Sequence, residues 1–255
     1  MRNLLHKIKL LIIRIMGKNP PREIPPLLMD KYSLNGRIGV RKWYFNDVGL
    51  AFIPRFYTRK AVESFFEKIE KKEILGYKET NKWLYDAISR YSIKNKTCAV
   101  MGSVVPFYES VCLYYGASDV TTIEYNKLVS FHPKIKTIRP FEYDKNPIEF
   151  EVGLSISSFE HDGLGRYGDP VDPDADLQAM KKMKGVVRKG GILFLSVPVG
   201  KDMVVWNAHR VYGRIRLPML LKEWEVVDNL GFEEKNLDMD NERGEYQPVF
   251  VLKNI

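Results

Sequence analysis

Residues 97–126 read TCAVMGSVVPFYESVCLYYGASDVTTIEYN, and the order of features in them decides the fold. Thr97–Met101 is a short apolar run that stops at Gly102, the pattern of a buried strand closed by a turn residue. A helical stretch, VVPFYESVCLYYG, follows it, and Asp119–Glu124 (DVTTIE) is a second strand. Strand, glycine turn, helix, strand is the repeating unit of a parallel sheet.

The same alternation continues toward the C-terminus. Lys136–Ile138 is a weak third strand and Phe150–Ser157 a fourth; a helix over 174–188 leads to a fifth strand, Gly191–Val199, entered through Lys189-Gly190. A helix is predicted over 218–230, then two last strands near 232–238 and 246–253. The short polar turn Asn241-Glu242-Arg243-Gly244 between them predicts a closing hairpin. The expected fold is α/β: a doubly wound, mainly parallel sheet of about seven strands with a C-terminal antiparallel hairpin.

Toward the N-terminus the pattern changes. Residues 60–75 and 80–92 read as helices, and residues 27–60 form an aromatic-rich lead-in or lid. Asn19-Pro20-Pro21 and Pro25-Pro26 break any helix and predict a linker. The expected division is an amphipathic helix (1–18), a linker with lead-in and helices (19–96), and a Rossmann-like domain (97–255).

The net charge of +8 over 255 residues is unevenly spread. Residues 1–22 contain Arg2, Lys7, Lys9, Arg14, Lys18 and Arg22 and no acid, so the remainder carries only +2. This argues against a nucleic-acid-binding surface. In the first 18 residues, Leu4, Leu5, Ile8, Leu11, Ile12 and Ile15 recur at helical spacing, while Lys7, Arg14 and Lys18 share another face. The segment is too short and too interrupted to span a bilayer, and predicts a helix lying on an anionic membrane surface. Docking on its own domain or on a second subunit, with a homo-oligomer left open, is a second reading, and a targeting peptide a third. Cys98 and Cys112 have no zinc or redox spacing, which implies two buried thiols in a reduced, cytoplasmic compartment.

Several segments are similar to the class I S-adenosylmethionine-dependent methyltransferases. CAVMGS (98–103) is similar to that family's first strand and glycine turn, and IEYN (123–126) to the acidic end of its second strand. SSFEHDG (157–163) is similar to the end of its fourth strand, and RKGGILFLSVP (188–198) to its fifth. More closely, GSVVPFYE, EHDGLGRYGDPVDPDADLQAM and WNAHRVYGRIRLP resemble a divergent branch catalogued as a domain of unknown function. The resemblance implies S-adenosylmethionine as cofactor; Asp162, Asp169 and Asp172 would permit a divalent cation, but without regular spacing no metal is predicted. The resemblance places Gly102, Ser103, Pro106, Glu124, Tyr125, Asp144 and Ser157 around that cofactor. Chemistry agrees at two positions. A glycine turn lets a ligand approach the backbone, and Glu124, 22 residues beyond Gly102, ends a strand where a carboxylate accepts from a ribose diol.

The loop SSFEHDGLGRYGDPVDPD (157–174) lies where a parallel-sheet enzyme carries its active site. His161 is the candidate general base, Asp162 its orienting partner or the base itself, and Arg166 the candidate holder of an anionic acceptor group. The alternatives are that His161 caps the strand end and that the aspartates form turns, with Asp174 capping the following helix. Tyr167 and Asp169 in this loop, with Asn207, His209, Arg210 and Tyr212 in WNAHRVYGRIR (206–216), suit a sugar or phosphate. The expected activity is O-methylation of a sugar or glycolipid-like acceptor on the inner face of a membrane. The alternative is a non-catalytic or altered member of the fold, binding a nucleotide-like ligand or a protein. That reading is favoured by Ser103, Val104 and Val105, which follow Gly102 where methyltransferases carry further glycines.

Overall fold

The computed structural model describes residues 19–49, 53–73 and 76–255. The amphipathic segment 1–18 lies outside the described residues. A seven-stranded sheet organises the rest. Its strands are β1 (Thr97–Met101), β2 (Asp119–Ile123), β3 (Ile135–Ile138), β4 (Phe150–Ile156), β5 (Val187–Ser196), β6 (Glu225–Leu230) and β7 (Val249–Lys253). They lie in the order β6-β7-β5-β4-β1-β2-β3. The five strands from β3 to β5 are parallel, and β7 pairs antiparallel with both β5 and β6. The doubly wound sheet and its antiparallel closure follow the sequence expectation.

Alternation along β1 divides the core. Cys98 and Val100 face one layer with Val152, Leu154 and Phe194, while Ala99 faces the other with Leu193, Leu195 and Phe250. Helices Lys78–Arg90 and Phe107–Tyr114 contribute to the first layer; Ala175–Val186 and Arg216–Leu221 contribute to the second. Both cysteines are buried and unbridged.

Three element predictions are corrected. The helix expected over 218–230 covers only Arg216–Leu221, and Glu225–Leu230 is a strand. This strand lies at the sheet edge and is mostly exposed, so its apolar residues show no period of two, while Leu220, Trp224 and Val227 imitate helical spacing. The strand expected near 232–238 is a 3-10 turn at Glu234–Asp238. The helix expected over 60–75 is two short ones, Arg59–Glu63 and Phe66–Glu70.

The proline segment packs on the domain rather than running free. Pro20 is buried, and the Pro20 and Pro21 carbonyls accept from Tyr44 Oη (2.9 Å) and Trp206 Nε1 (3.1 Å). Gly39–Lys42 adds a parallel strand to the hairpin Met203–Trp206/His209–Val211, and Arg55–Tyr57 pairs with Leu128–Ser130. Among the described residues, no helix is long and apolar enough to cross a membrane.

Candidate active site

A cleft of about 480 Å³, within the range of ligand sites, opens beyond the carboxyl ends of β1, β2 and β4. This is where the strand order reverses in a doubly wound sheet. Its floor is the turn after β1. Gly102 has φ +68°, and a β-carbon there would overlap the Ser158 hydroxyl, so a larger residue would be strained and would force Ser158 to move. Val104 lines the cleft beside it and Val105 is half exposed, whereas Ser103 turns inward: its hydroxyl donates to Glu109 Oε2 (3.0 Å). Pro106 starts the helix Phe107–Tyr114 and does not line the cleft.

Glu124 follows β2 and lines the same space. Asn126 donates to its Oε1 twice, from the backbone (2.8 Å) and from Nδ2 (2.6 Å), which orients the carboxylate. Burial raises the Glu124 pKa, and the Asn126 hydrogen bonds oppose that rise. Tyr125 lines the cleft with 60% of its surface open. Asp144 differs from expectation. It stands outside the lining and ion-pairs with Lys182 at 2.5 Å, so its carboxylate is already engaged.

The loop after β4 forms the far wall. Ser157 lines the cleft in a left-handed conformation (φ +52°), donates to Glu160 Oε1 (2.5 Å) and accepts from Gln247 Nε2 (3.2 Å). His161 and Asp162 both line the cleft, in different electrostatic surroundings. The Ala208 carbonyl lies 2.6 Å from His161 Nδ1; a carbonyl only accepts, so Nδ1 carries the proton. Burial lowers the imidazole pKa to about 3, helped by the nearby Arg166, His209 and Arg210. A ring so reluctant to take a proton is a weak base at neutral pH. Burial and Asp169 instead push the Asp162 carboxyl well above its ordinary range. Glu160, fully buried behind them, is raised to about 7 by burial, and its Oε2 has no partner.

Tyr167 and Asp169 also line the cleft; Arg166, Asn207, His209, Arg210 and Tyr212 do not. Arg166 ion-pairs with Asp47 (2.7 Å) and lies over the rings of Phe45 and Tyr167. Asn207 bonds both backbone groups of Phe45, and His209 Nε2 donates to the Glu242 carbonyl (2.9 Å). Arg210 is fully buried and grips the main-chain carbonyls of Asp162 (2.5 Å) and Pro173 (3.2 Å). Tyr212 donates to Asp176 Oδ2 (2.9 Å), and Arg216 holds both oxygens of the same carboxylate. Arg210 and Arg216 of the motif WNAHRVYGRIR thus hold carbonyls of the loop, and the motif's predicted substrate-binding residues lie outside the cleft lining. Asp174 stands at the start of Ala175–Val186 without a side-chain cap bond and lies 3.6 Å from Arg216.

Sequence reasoning missed Asn126, Ser158, Tyr77 and Lys182, all in the cleft lining. Asn126 was legible beside Glu124 in IEYN. Tyr77 arrives from a distant segment with no motif. Among the described residues, no group of three or more His, Cys, Asp or Glu is placed to hold a metal.

Residues 95–254 match the family described as Caenorhabditis protein of unknown function, DUF268. The chain belongs to this family. No curated protein matches it. Among solved structures, this member of the family is similar to a Burkholderia thailandensis 1,6-didemethyltoxoflavin-N1-methyltransferase, solved with 1,6-didemethyltoxoflavin and S-adenosylhomocysteine bound. The identity is 14%, with 75% of this chain and 86% of that one covered and a TM-score of 0.51. It is also similar to TehB from Haemophilus influenzae, at 15% identity over 76% and 67% of the two chains, with a TM-score of 0.45. The fold is thus that of the class I methyltransferases.

Proposed function

We propose that the protein is an S-adenosylmethionine-dependent methyltransferase. The observation that carries this reading is the Asn126-oriented Glu124 carboxylate, next to a turn where Gly102 leaves no room for a β-carbon and donates its N–H to the Ile123 carbonyl. The residues fit the cofactor: Glu124 suits a ribose diol, Tyr125 offers a ring for an adenine, and Asn126 Oδ1 is a buried acceptor without a partner. S-adenosylmethionine, when bound, supplies a methyl group made electrophilic by its positively charged sulfur.

Asp162 is the residue best suited to take the acceptor's proton, because its raised pKa brings it nearer neutrality. His161 then serves as a neutral wall group, fixed by Ala208. An acceptor hydroxyl of a sugar-like molecule fits this arrangement, since its oxygen needs a carboxylate within hydrogen-bond reach as the new bond forms. The placement on an anionic membrane surface rests on the spacing of basic and apolar residues in 1–18. Loss of liposome sedimentation on deleting that segment would support it, and an unchanged pellet would refute it.

Isothermal titration with S-adenosylmethionine and S-adenosylhomocysteine tests the central reading. Both are expected to bind, and E124A to weaken them about tenfold or more, as for loss of charge-assisted bonds. Silence with both ligands would overturn it in favour of a non-catalytic member of the fold.

A further inference from the structure

Beside the cleft, the parallel pair Arg55–Tyr57/Leu128–Ser130 forms a two-stranded ribbon, and Phe131 N–H extends it by donating to the Tyr57 carbonyl (2.9 Å). Alternation sends Tyr57 inward, where it is buried, and leaves Phe56 outward. Phe56 stacks on Phe131 with ring centroids 6.1 Å apart, yet 57% and 63% of their surfaces stay open. Two touching phenyl rings without a polar atom make an apolar patch that the core does not use.

A second, independent observation is the charge around these rings. Residues 53–63 hold Arg55, Arg59 and Lys60 against Glu63, and residues 126–136 hold Lys127, Lys134 and Lys136 with no acid, a net +5. Residues 23–255 carry +2 in all, so the rest of that stretch is net −3. Arg55 N–H donates to the Lys127 carbonyl (3.0 Å), which sets these two residues side by side at the start of the ribbon. Burial lowers the pKa of His132, next to Phe131, and Arg59 and Lys134 lie near enough to lower it further. Arg59 pairs with Glu63 (2.7 Å), whereas Lys127 and Lys134 form no salt bridge among the described residues.

The ribbon also adjoins the cleft. Lys127 directly follows the lining residues Glu124, Tyr125 and Asn126, and Tyr57 Oη donates to the carbonyl of Ser103 in the turn after β1 (2.8 Å).

We propose that this ribbon is a membrane contact, with Phe56 and Phe131 entering the headgroup region of an anionic bilayer and Arg55, Lys127 and Lys134 meeting lipid phosphates. The inference rests on the membrane placement above and deepens it. It supplies a second attachment besides residues 1–18, and stable anchoring takes two signals. It also sets the cleft next to the lipid, within reach of an acceptor carried by a lipid. A nucleic acid fits this face less well, because its phosphates run on past so small a patch and meet the net negative remainder of the domain.

The test is sedimentation of the full chain with phosphatidylcholine vesicles, with and without phosphatidylserine, together with F131W fluorescence on vesicles whose acyl chains are brominated. Wild type is expected to pellet with the phosphatidylserine vesicles only, and less as salt rises. F56S/F131S and K127E/K134E should each weaken that partition by about tenfold, with far-UV circular dichroism reporting that the variants are folded. The emission that F131W adds should be quenched. If F56S/F131S pellets like wild type and F131W is not quenched, the ribbon's role is overturned while that of residues 1–18 still stands on its own deletion. If the ribbon variants lose binding and deletion of 1–18 does not, the ribbon is supported and the segment is removed. Failure of the full chain to pellet overturns both. Tighter binding to a single-stranded oligonucleotide than to vesicles, lost in the same variants, overturns the membrane contact in favour of nucleic acid.

Discussion

The Ser158 hydroxyl occupies the space into which a β-carbon on residue 102 would project. The first residues of the loop after β4 thus close onto the turn after β1, and the two segments share one surface of the cleft. Gly102 also donates its N–H to the Ile123 carbonyl (3.1 Å), tying that turn to the end of β2.

G102A is therefore expected to act on binding and on stability together. An alanine at φ +68° is strained, and the overlap with Ser158 forces one of the two segments to move. A loss of about 1–3 kcal/mol in chemical denaturation is expected, with weaker S-adenosylhomocysteine binding. The double variant G102A/S158A should recover part of the stability, because it removes the hydroxyl in the way while leaving the φ strain. Equal stability of wild type and G102A would show that the turn is free to relax.

His161 and Asp162 should separate in a pH titration. With Nδ1–H committed to Ala208 and its pKa lowered to about 3, His161 should stay neutral from about pH 5 to pH 8. Its imidazole proton signals in NMR should be flat across that range. Since the unfolded chain takes up that proton near the ordinary histidine pKa, the native state is penalised by this group only as pH falls below about 6.5. D162N should remove methyl transfer to an accepted substrate, whereas H161Q should keep a measurable rate. A His161 signal titrating near neutrality would restore it as the base.

Asp176 is the keystone of the brace behind the loop. Burial alone would raise its carboxyl, but Arg210, Arg216 and Tyr212 together hold it below the usual range. D176N leaves the buried Arg210 without an anion and Arg216 with only the more exposed Asp174 at 3.6 Å, and a loss of about 3–5 kcal/mol is expected in denaturant unfolding. Because Arg210 and Arg216 also hold the Pro173 carbonyl, protease cutting within 160–175 should rise in D176N. Unchanged cleavage would mean that the loop is held by other contacts.

How much of this was legible in the sequence follows from where each signal is stored. The parallel strands are buried on both faces, so their apolar runs stand out, and Gly102, Glu124 and the loop after Ser157 could be placed from strand order alone. The edge strand Glu225–Leu230 is half solvated and carries no such signal. Residue roles were read less well, because composition does not tell which side chains are already engaged. Arg166, Arg210 and Asp144 are residues that bind anions or donors elsewhere, yet here each is satisfied by a partner far away in the chain. Partners of that kind, Asp47 for Arg166, Lys182 for Asp144 and the loop carbonyls for Arg210, come together only when distant segments fold against one another.

Glu109 provides the last prediction. It is fully buried behind the Gly102–Ser103 turn and accepts from Ser103 Oγ (3.0 Å) and Thr122 Oγ1 (2.7 Å). Burial raises its pKa to about 7, against the lowering effect of those two hydroxyls. The folded state therefore holds a proton that the unfolded chain releases near the ordinary glutamate pKa. Stability from this group is present below about pH 4.5 and is lost as pH rises to about 7. Gln carries no such proton, so the stability difference between E109Q and wild type should move in favour of E109Q across that window. The change is on the order of 3 kcal/mol if the shift is fully expressed. Unfolding midpoints measured for both proteins at closely spaced pH values give the difference directly, and other titrating groups cancel in the subtraction. A difference independent of pH would mean that Glu109 ionises as an ordinary carboxylate and that water reaches the underside of the turn.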